Sequence, residues 1–446
     1  ARAGTLLFLW LAAFALWRVS RAAGEAAAFL AISSFVTLPG ILAHSGLATT
    51  DIGFCALALV FVWRLVRWLD LGDARSAVLM GFAAGAVTGT KFWSFIFIPA
   101  AIAGFGLAWA SQARTTPTLF AERISRRLRS APAVAFAALV TVWALYRFSW
   151  GTIAGFPGFM RDLTIVDPSR GDMQSVISRV TEGVSMPAPA FLHGVLMLLA
   201  HNAAGHPAYA LGTESQTGFW YFFPLTLLLK TPFPFLLLGA LGATLWIWTR
   251  RNAAWWTSGA WLTVPLVLLA MMTSRVNIGL RHVLVVYGLV ALGTAGAAVS
   301  ALGAVQERER RALLAAIAGL SLWQATITAR AFPDWMTYFN PIAAHDPGAY
   351  LVDSDLDWGQ GLFELESYFK THPLAASEPV WLAYFGSADV SRFSLPPLRG
   401  LPPQTRVRGW IAISERRYRD ARSYGWLHEY TPVAVVGRVI RVYKIP

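Results

Sequence analysis

Charged residues are scarce in this sequence, and cysteine is almost absent. Only 14% of the 446 residues are charged, whereas 56% are apolar. Soluble globular domains carry about 25% charged residues, so a water-soluble enzyme of ordinary composition is excluded. Cys55, the one cysteine, lies in an apolar run, and an intramolecular disulfide is therefore excluded as well.

Acidic residues are also fewer than basic ones. The chain has 24 Asp and Glu against 37 Lys and Arg, a net charge of +13. Such a surplus can indicate nucleic-acid binding, but here many arginines lie between apolar runs. Membrane orientation explains the surplus better, and we expect no nucleic-acid partner. The sequence has no Walker loop, no glycine-rich dinucleotide fingerprint and no G-x-S-x-G motif, so nothing predicts a cofactor.

About ten apolar runs are present, and each predicts a membrane-spanning helix, which needs about 20 residues. The runs cover residues 3–17, 24–43, 52–71, 76–90, 93–111, 131–149, 231–249, 253–272, 283–304 and 312–329. Arginines fall on every second link between them, and the positive-inside rule places those links in the cytoplasm. The remaining links (44–51, 91–92, 150–230, 273–282) and everything after 330 are expected outside. A bacterial inner membrane is the expected location.

The stretch 76–111 is ambiguous, because it could form one long helix or two short ones. Only two helices return the chain to the cytoplasm before the cluster Arg123–Arg129. The hairpin tip at Lys91 is then expected outside. Ala1 is expected outside too, which requires an odd number of spans before it.

The chain is predicted to have two domains. Residues 1–330 form a membrane domain, whose outward loop 150–230 contains interfacial helices at 190–203 and 219–229. Residues 331–446 form a small soluble α/β or α+β domain. Its predicted elements are strands at Tyr350–Val352, Val380–Phe385, Trp410–Ile413 and Val433–Tyr443 and an amphipathic helix around 360–370.

Ionisable residues collect on the expected outer side of the membrane. Such residues near the hydrocarbon are costly and are functional candidates by default. The candidates are Arg2, His44, Asp51, Lys91, Lys230, Arg281 and His282. Several cations with few carboxylates suit an anionic lipid phosphate.

Each candidate also has a structural interpretation. Arg2, Lys230 and Arg281 could be anchors at helix ends, and Asp51 could be a helix N-cap. His193, His201 and His206 are spaced by eight and five, which does not place them on one helical face, so we predict interfacial residues and no metal site. Asp353, Asp355 and Asp357 favour a turn whose carboxylates accept local backbone N–H groups.

The order of several short motifs resembles a known family. In the first half, these are Arg2 before a span, Leu42-Ala43-His44-Ser45 through Thr49-Thr50-Asp51, and Gly81 to Gly89-Thr90-Lys91-Phe92. They resemble the polyprenyl-phosphate-dependent glycosyltransferases of family 39, the C-type fold of protein O-mannosyltransferases and aminoarabinose transferases.

Later motifs resemble an uncharacterised bacterial branch of that family. They are Gly205-His206-Pro207, Gly218-Phe219-Trp220-Tyr221-Phe222-Phe223-Pro224, Lys230-Thr231-Pro232, Asn277-Ile278-Gly279-Leu280-Arg281-His282 and Asp353-Ser354-Asp355-Leu356-Asp357-Trp358-Gly359-Gln360. The resemblance covers nearly the whole chain.

The resemblance implies a membrane enzyme that moves a sugar from a polyprenyl-phosphate donor to an unknown acceptor outside the membrane, with inversion and without a required metal. The implied roles are catalytic for Asp51 and donor phosphate or lipid binding for Arg2, Lys91, Lys230, Arg281 and His282. His44, His206, Asp353, Asp355 and Asp357 belong to the acceptor side. The family's catalytic base lies in the first outward loop, which is expected to precede Ala1.

Two other functions remain open on the sequence. A lipid or sugar transporter would also have about ten spans, but transporters place ionisable residues on broken helices at mid-bilayer and often show repeated halves. Neither feature is evident in the sequence. A non-catalytic membrane assembly protein, whose soluble domain binds a partner, is the third alternative.

Overall fold

A computed structural model describes residues 2–111, 117–153, 184–375 and 378–446. The helices of the first part are α1 (Arg2–Ser20), α2 (Glu25–Val36), α3 (Pro39–Ser45), α4 (Thr50–Leu71), α5 (Ala74–Thr90), α6 (Ser94–Ser111), α7 (Pro117–Leu145), α8 (Pro189–Ala204), α9 (Phe222–Lys230), α10 (Phe233–Thr249), α11 (Trp255–Met271), α12 (Leu284–Leu302) and α13 (Glu307–Arg330). The predicted class, a polytopic helical membrane protein with a small C-terminal α+β part, is confirmed.

The number of spans is smaller than the predicted ten. In the described ranges, six helices are long and apolar enough to cross a membrane, or up to eight if two bent pairs count as single spans. The expected spans at α5 and α11 have 17 residues each. Such a helix is about 26 Å long, shorter than the roughly 30 Å hydrocarbon core.

The ambiguous stretch 76–111 forms two helices, α5 and α6, as predicted. Helix α5 packs closely on α7 through Gly81 and Gly85. A Cβ atom at Gly85 would lie 2.6 Å from the carbonyl oxygen of Ala138, and one at Gly81 would lie 2.4 Å from that of Val134. Small residues thus allow the two backbones to approach, and this packing fixes the end of α5, where Lys91 follows.

Two helix pairs are sharply bent: α2 and α3 by 70°, and α9 and α10 by 114°. Pro39 begins α3 and Pro232 precedes α10. Proline cannot donate a backbone hydrogen bond, and it disfavours helix in the residue before it, so both bends follow from the sequence.

Both bends are held by later parts of the chain. Gln324 of α13 donates to the carbonyl oxygen of Ser34 at 2.7 Å and to Thr37 Oγ1 at 2.9 Å. Asn340 donates to the carbonyl oxygens of Leu228 at 2.6 Å and Thr231 at 3.1 Å. The carbonyls freed by each bend are therefore satisfied by side chains.

The two expected interfacial helices correspond to α8 and α9. Short strand pairs lie on both sides of α8. Strands β1 (Trp150–Thr152) and β2 (Ser185–Pro187) pair antiparallel before α8, and β3 (Ala208–Ala210) and β4 (Thr213–Ser215) pair antiparallel after it. Residues 154–183 of the predicted outward loop lie outside the described residues.

The C-terminal part contains a five-stranded mixed sheet with the order β6-β5-β7-β9-β8. The strands are β5 (Val380–Ala383), β6 (Leu398–Gly400), β7 (Gly409–Ser414), β8 (Ala434–Val436) and β9 (Ile440–Ile445), and the helices are α14 (Pro347–Tyr350), α15 (Leu362–Thr371), α16 (Glu415–Tyr418) and α17 (Ala421–Tyr424). Strand β5 pairs parallel with β6 and β7, whereas β9 pairs antiparallel with β7 and β8.

The prediction of a strand at Tyr350–Val352 is wrong, and the single strand predicted at Val433–Tyr443 is a hairpin of two strands, β8 and β9. The predicted strands at Val380–Phe385 and Trp410–Ile413 and the helix near 360–370 are present. Pro347 begins the short helix α14, and a 3-10 turn follows at Asp353–Asp355. Only an isolated bridge from Leu351 to Ala210 remains of the expected pairing. Proline at the first helical position, with its fixed φ, favours the helix over the strand.

One core cluster of buried apolar residues extends from the bundle into the C-terminal part. It includes Phe223 and Leu280 on the bundle side and Leu351, Leu356 and Leu362 on the other side. The C-terminal part is thus packed on the helices rather than tethered at a distance. The boundary at 331 stays a prediction.

Candidate functional site

Asp51 and Lys91 form an ion pair between two neighbouring helices. Asp51 lies in the first turn of α4, and Lys91 directly follows α5. Since the start of α4 and the end of α5 lie at the same end of the bundle, both side chains meet there, and Asp51 is only 2% exposed. Their expected proximity is confirmed. The carboxylate binds the lysine through Oδ1. The alternative interpretation of Asp51 as a helix N-cap does not explain this contact.

Arg281 and His44 lie on either side of Trp358, near this ion pair. The guanidinium carbon of Arg281 is 4.7 Å from the centre of the Trp358 ring, and the His44 ring is 6.4 Å from it. His44, Lys91 and Arg281 all interact electrostatically with Asp51. Trp358 thus joins the C-terminal part of the chain to the cations of the bundle.

Several buried polar atoms of this group have no hydrogen-bond partner within the described part of the chain. They are His44 Nδ1, Arg281 Nε and His282 Nδ1. Buried polar groups in folded proteins are almost always paired. Donors and acceptors that the protein leaves unpaired beside an ion pair are available to a ligand.

An apolar cavity of about 620 Å³ adjoins the cluster. Phe92 and Trp93, which directly follow Lys91, line it together with Leu198 of α8, Val276 and His282. The His282 ring lies 4.9 Å from the Trp93 ring, and burial lowers the pKa of His282 well below its ordinary value. The imidazole of His282 is therefore neutral where it lines the cavity.

Lys230 is buried at the end of α9 and is satisfied by the protein. Its ammonium donates to the carbonyl oxygen of Met336 at 2.7 Å and to that of Asp355, and it lies 4.2 Å from the centre of the Phe339 ring. Two of its three donors are thus occupied by backbone. These contacts favour a clamp between bundle and C-terminal segment over the phosphate-binding role expected from the sequence.

Asp355 reaches back to the bundle, whereas Asp353 bonds locally. Asp355 Oδ1 accepts a hydrogen bond of 2.8 Å from the backbone of Leu280, next to Arg281. Burial raises the pKa of Asp355 to about 6, against the charge of Lys230 and the hydrogen bond from Leu280. Asp353 Oδ1 accepts from its neighbour Ser354 at 2.6 Å, as the turn interpretation predicts.

Asp357 faces the sheet and not the bundle. Its carboxylate accepts hydrogen bonds from the backbone of Gly359 at 3.3 Å and of Arg416 at 2.9 Å. Burial raises its pKa to about 7, although these two bonds oppose the shift. The local turn interpretation is thus correct for Gly359, and the contact with Arg416 is tertiary.

His206 stacks on His201, with ring centres 5.3 Å apart. Burial lowers the pKa of His206, and charges of Asp353 and Arg281 act on it. Among the residues that the structure describes, no three His, Cys, Asp or Glu side chains come together as a group that could hold a metal ion. The side chain of Arg2 lies outside the described part, although its backbone begins α1.

Sequence reasoning missed Trp358, Trp93 and Asn340 as parts of this site. Asp357-Trp358-Gly359 belongs to a motif that was noted for its aspartates, and Trp93 follows the noted Gly-Thr-Lys segment. The signal available in the sequence was an aromatic residue that could pair with a nearby cation. Asn340 carried none, because its partners are the carbonyls of a bend more than 100 residues earlier.

Comparisons with known proteins give little further information. No protein-family model and no curated protein matches the sequence. The crystal structure of ArnT from Cupriavidus metallidurans bound to undecaprenyl phosphate is similar over 99% of this chain and 83% of that chain, with 12% identity and a TM-score of 0.45. At this identity and TM-score, the roles of individual residues are decided by contacts within this chain and not by transfer from ArnT.

Proposed function

We propose that the protein is a membrane glycosyltransferase that moves a sugar from a polyprenyl-phosphate donor to an acceptor outside the membrane. The observation that carries the proposal is an apolar cavity of about 620 Å³ whose lining residues Phe92 and Trp93 directly follow Lys91 of the buried Asp51–Lys91 pair. A cationic head site beside an apolar aromatic wall complements an amphiphile with a phosphate head and a hydrocarbon tail.

The donor phosphate is proposed to bind Lys91 and Arg281. Arg281 supports this role because its guanidinium makes no hydrogen bond to any other described residue and lies over the ring of Trp358. Phe92 and Trp93 then contact the first isoprene units. His282, neutral at the cavity wall, bonds to the bridging oxygen or the sugar.

The proposed reaction is a direct displacement at the anomeric carbon. The acceptor hydroxyl oxygen forms a bond to that carbon while the bond to the phosphate oxygen breaks, and the anomeric configuration inverts. Polyprenyl phosphate leaves with the electron pair, and the hydroxyl proton passes to a carboxylate. Lys91 and Arg281 stabilise the negative charge that develops on the phosphate.

Asp51 is proposed to act through Lys91. Because its Oδ1 is bound to the ammonium, the carboxylate holds the lysine in place and compensates its charge when the donor is absent. It is therefore a positioning residue rather than the catalytic group that the resemblance implies. His44, His206 and Asp353 face the acceptor side, whereas Asp355 and Asp357 fix the segment that carries Trp358.

Purified protein in liposomes, supplied with a panel of radiolabelled polyprenyl-phosphate sugars and a membrane lipid extract, tests the proposal. We expect one donor to release polyprenyl phosphate with transfer of its label. Folded protein that releases no polyprenyl phosphate from any donor would contradict the enzyme. The sidedness is checked with single cysteines at positions 91 and 127, which we expect to react from opposite sides.

A transporter is the second candidate, because the structure contains two sharply bent helix pairs. However, Gln324 and Asn340 hold both bends, whereas alternating access needs elements that move. Counterflow of a labelled sugar lipid without release of polyprenyl phosphate would favour the transporter.

A further inference from the structure

A second cavity of about 660 Å³ lies between the segment after the last span and the C-terminal sheet. Its lining is about half polar, in contrast to the apolar cavity lined by Phe92 and Trp93. The argument rests on Asp346, Glu415, Arg438 and Arg441, which all line it. Leu356 and Phe339 form part of its apolar wall.

Two carboxylates and two arginines at this cavity form a closed network. Glu415 accepts hydrogen bonds from Arg419 Nε at 2.7 Å and from Arg441 Nε at 2.6 Å. Asp346 pairs with Arg419 and lies 3.6 Å from Arg441. A Cβ atom at Gly348 would lie 2.1 Å from Glu415 Oε1, so glycine is needed there for the carboxylate to fit. The network is neutral and held rigidly.

Arg438 adds a cation that this network does not neutralise. It is exposed at the cavity and forms no ion pair with the described residues. It also occupies an unusual position in the three-residue loop between β8 and β9, where its φ of 61° follows that of Gly437 at 56° in the turn closed by the hydrogen bond from Val439 to Val436. Such turns favour glycine or asparagine, so an arginine stays here at a conformational cost.

We propose that this cavity binds an acidic saccharide, the acceptor of the proposed transferase. Sugar hydroxyls both donate and accept hydrogen bonds, and the cavity offers carboxylate acceptors beside guanidinium donors. The charge of Arg438, which no described carboxylate neutralises, favours a negative group on the ligand. The volume suits a small oligosaccharide.

The cavity is also close to the proposed donor site. Leu356 lines it, and the preceding Asp355 bonds to Leu280 beside Arg281. Phe339 lines it as well, and its ring faces the ammonium of Lys230. The segment that contains Asp355 and Leu356 thus connects the lining of this cavity to the backbone beside Arg281.

Isothermal titration of the full chain in nanodiscs tests the proposal without any donor lipid. The probes are trigalacturonate, neutral maltotriose, inorganic phosphate and a tri-aspartate peptide. We expect trigalacturonate to bind at least tenfold more tightly than each of the other three. Equal binding of phosphate or of the peptide, or no binding of any probe, would overturn the saccharide assignment.

Arg438→Asn is the informative variant, because asparagine tolerates the left-handed conformation and the fold is retained. It should weaken trigalacturonate binding about tenfold, the effect of one charge-assisted contact, and leave maltotriose binding unchanged. Arg422→Asn, an exposed arginine of the same part outside the cavity lining, should change nothing. Equal losses in both variants overturn the proposal.

The proposal rests on the transferase function, but the two fail in different ways. Loss of transfer with intact trigalacturonate binding contradicts the transferase alone. Transfer to a neutral acceptor, with no trigalacturonate binding, contradicts the saccharide site alone.

Discussion

The two ends of the helical bundle hold their cations differently. At one end, Arg281 lies on Trp358 without a hydrogen bond to the described residues, and Lys91 has a single carboxylate partner. At the other end, Arg127 donates to the carbonyl oxygens of Leu69 at 2.6 Å, Asp70 at 3.2 Å and Arg123 at 2.8 Å.

The difference separates a structural cation from one that can bind a ligand. Arg127 caps carbonyls at the end of α4 and stacks on Trp109 at 4.6 Å, so its terminal nitrogens have partners in the folded chain. Lys91 and Arg281 keep donors that no described residue accepts. By the same argument Lys230 is a structural cation, because the protein occupies its donors, although it lies at the same end of the bundle as Lys91.

The largest expected effect is on transfer, from substitutions in the Asp51–Lys91 pair. Lys91→Met should lower kcat/KM about 100-fold, because it removes a group that stabilises the departing phosphate. Asp51→Asn should raise the KM for the donor and lower kcat together, since Lys91 loses its position, and Asp51→Glu should restore part of both. Steady-state transfer at several donor concentrations measures this.

The control is Arg126→Gln at the opposite end, where the side chain is exposed and only 3.8 Å from an exposed glutamate. It should leave transfer unchanged. A loss of kcat in Asp51→Asn with an unchanged KM and no recovery in Asp51→Glu would contradict the positioning role and favour a catalytic base.

A smaller effect, on stability alone, is expected at the opposite end. Arg127→Gln removes the contacts with Leu69 and Asp70 and should lower the free energy of unfolding by about 1–3 kcal/mol, the cost of unpaired buried groups. Transfer per folded molecule should not change. Thermal unfolding in detergent, compared with Arg126→Gln, measures this effect. A loss of transfer in folded Arg127→Gln would contradict the purely structural role of Arg127.

The smallest effect concerns pH and Asp357. Burial raises the pKa of this carboxyl from 3.8 to about 7, so the folded state binds the proton more tightly than the unfolded state. Its contribution to stability is complete below about pH 4 and is lost as the pH rises through 7. Asp357→Asn should therefore flatten the fall of the unfolding temperature between about pH 4 and 7.

Some pH dependence should remain in this variant, because the pKa of Asp355 is raised to about 6 as well. Asp389→Asn is the control, since Asp389 is exposed and its hydrogen bonds with Ser391 lower its pKa. An unchanged slope in Asp357→Asn, equal to that of Asp389→Asn, would show that burial does not control this group.

Much of the fold was predictable because local forces decide it. Apolar runs predicted the helices, and the Asp51 and Lys91 segments were expected at one membrane face. Tyr350–Val352 was mispredicted as a strand because β-propensity lost to Pro347 and to contacts made by the following turn. The predicted number of spans was too high because the length of an apolar run does not show where the helix within it begins and ends.

By itself, the sequence determined the membrane class, the two-helix hairpin at 76–111 and the candidates Asp51 and Lys91, since hydropathy and charge act locally. Only the tertiary structure decided that Lys230 binds the backbone of Met336 and Asp355, that Arg281 lies on Trp358, and that Arg438 borders a polar cavity. These pairings join residues far apart in sequence, and packing alone determines which of the many polar groups meet.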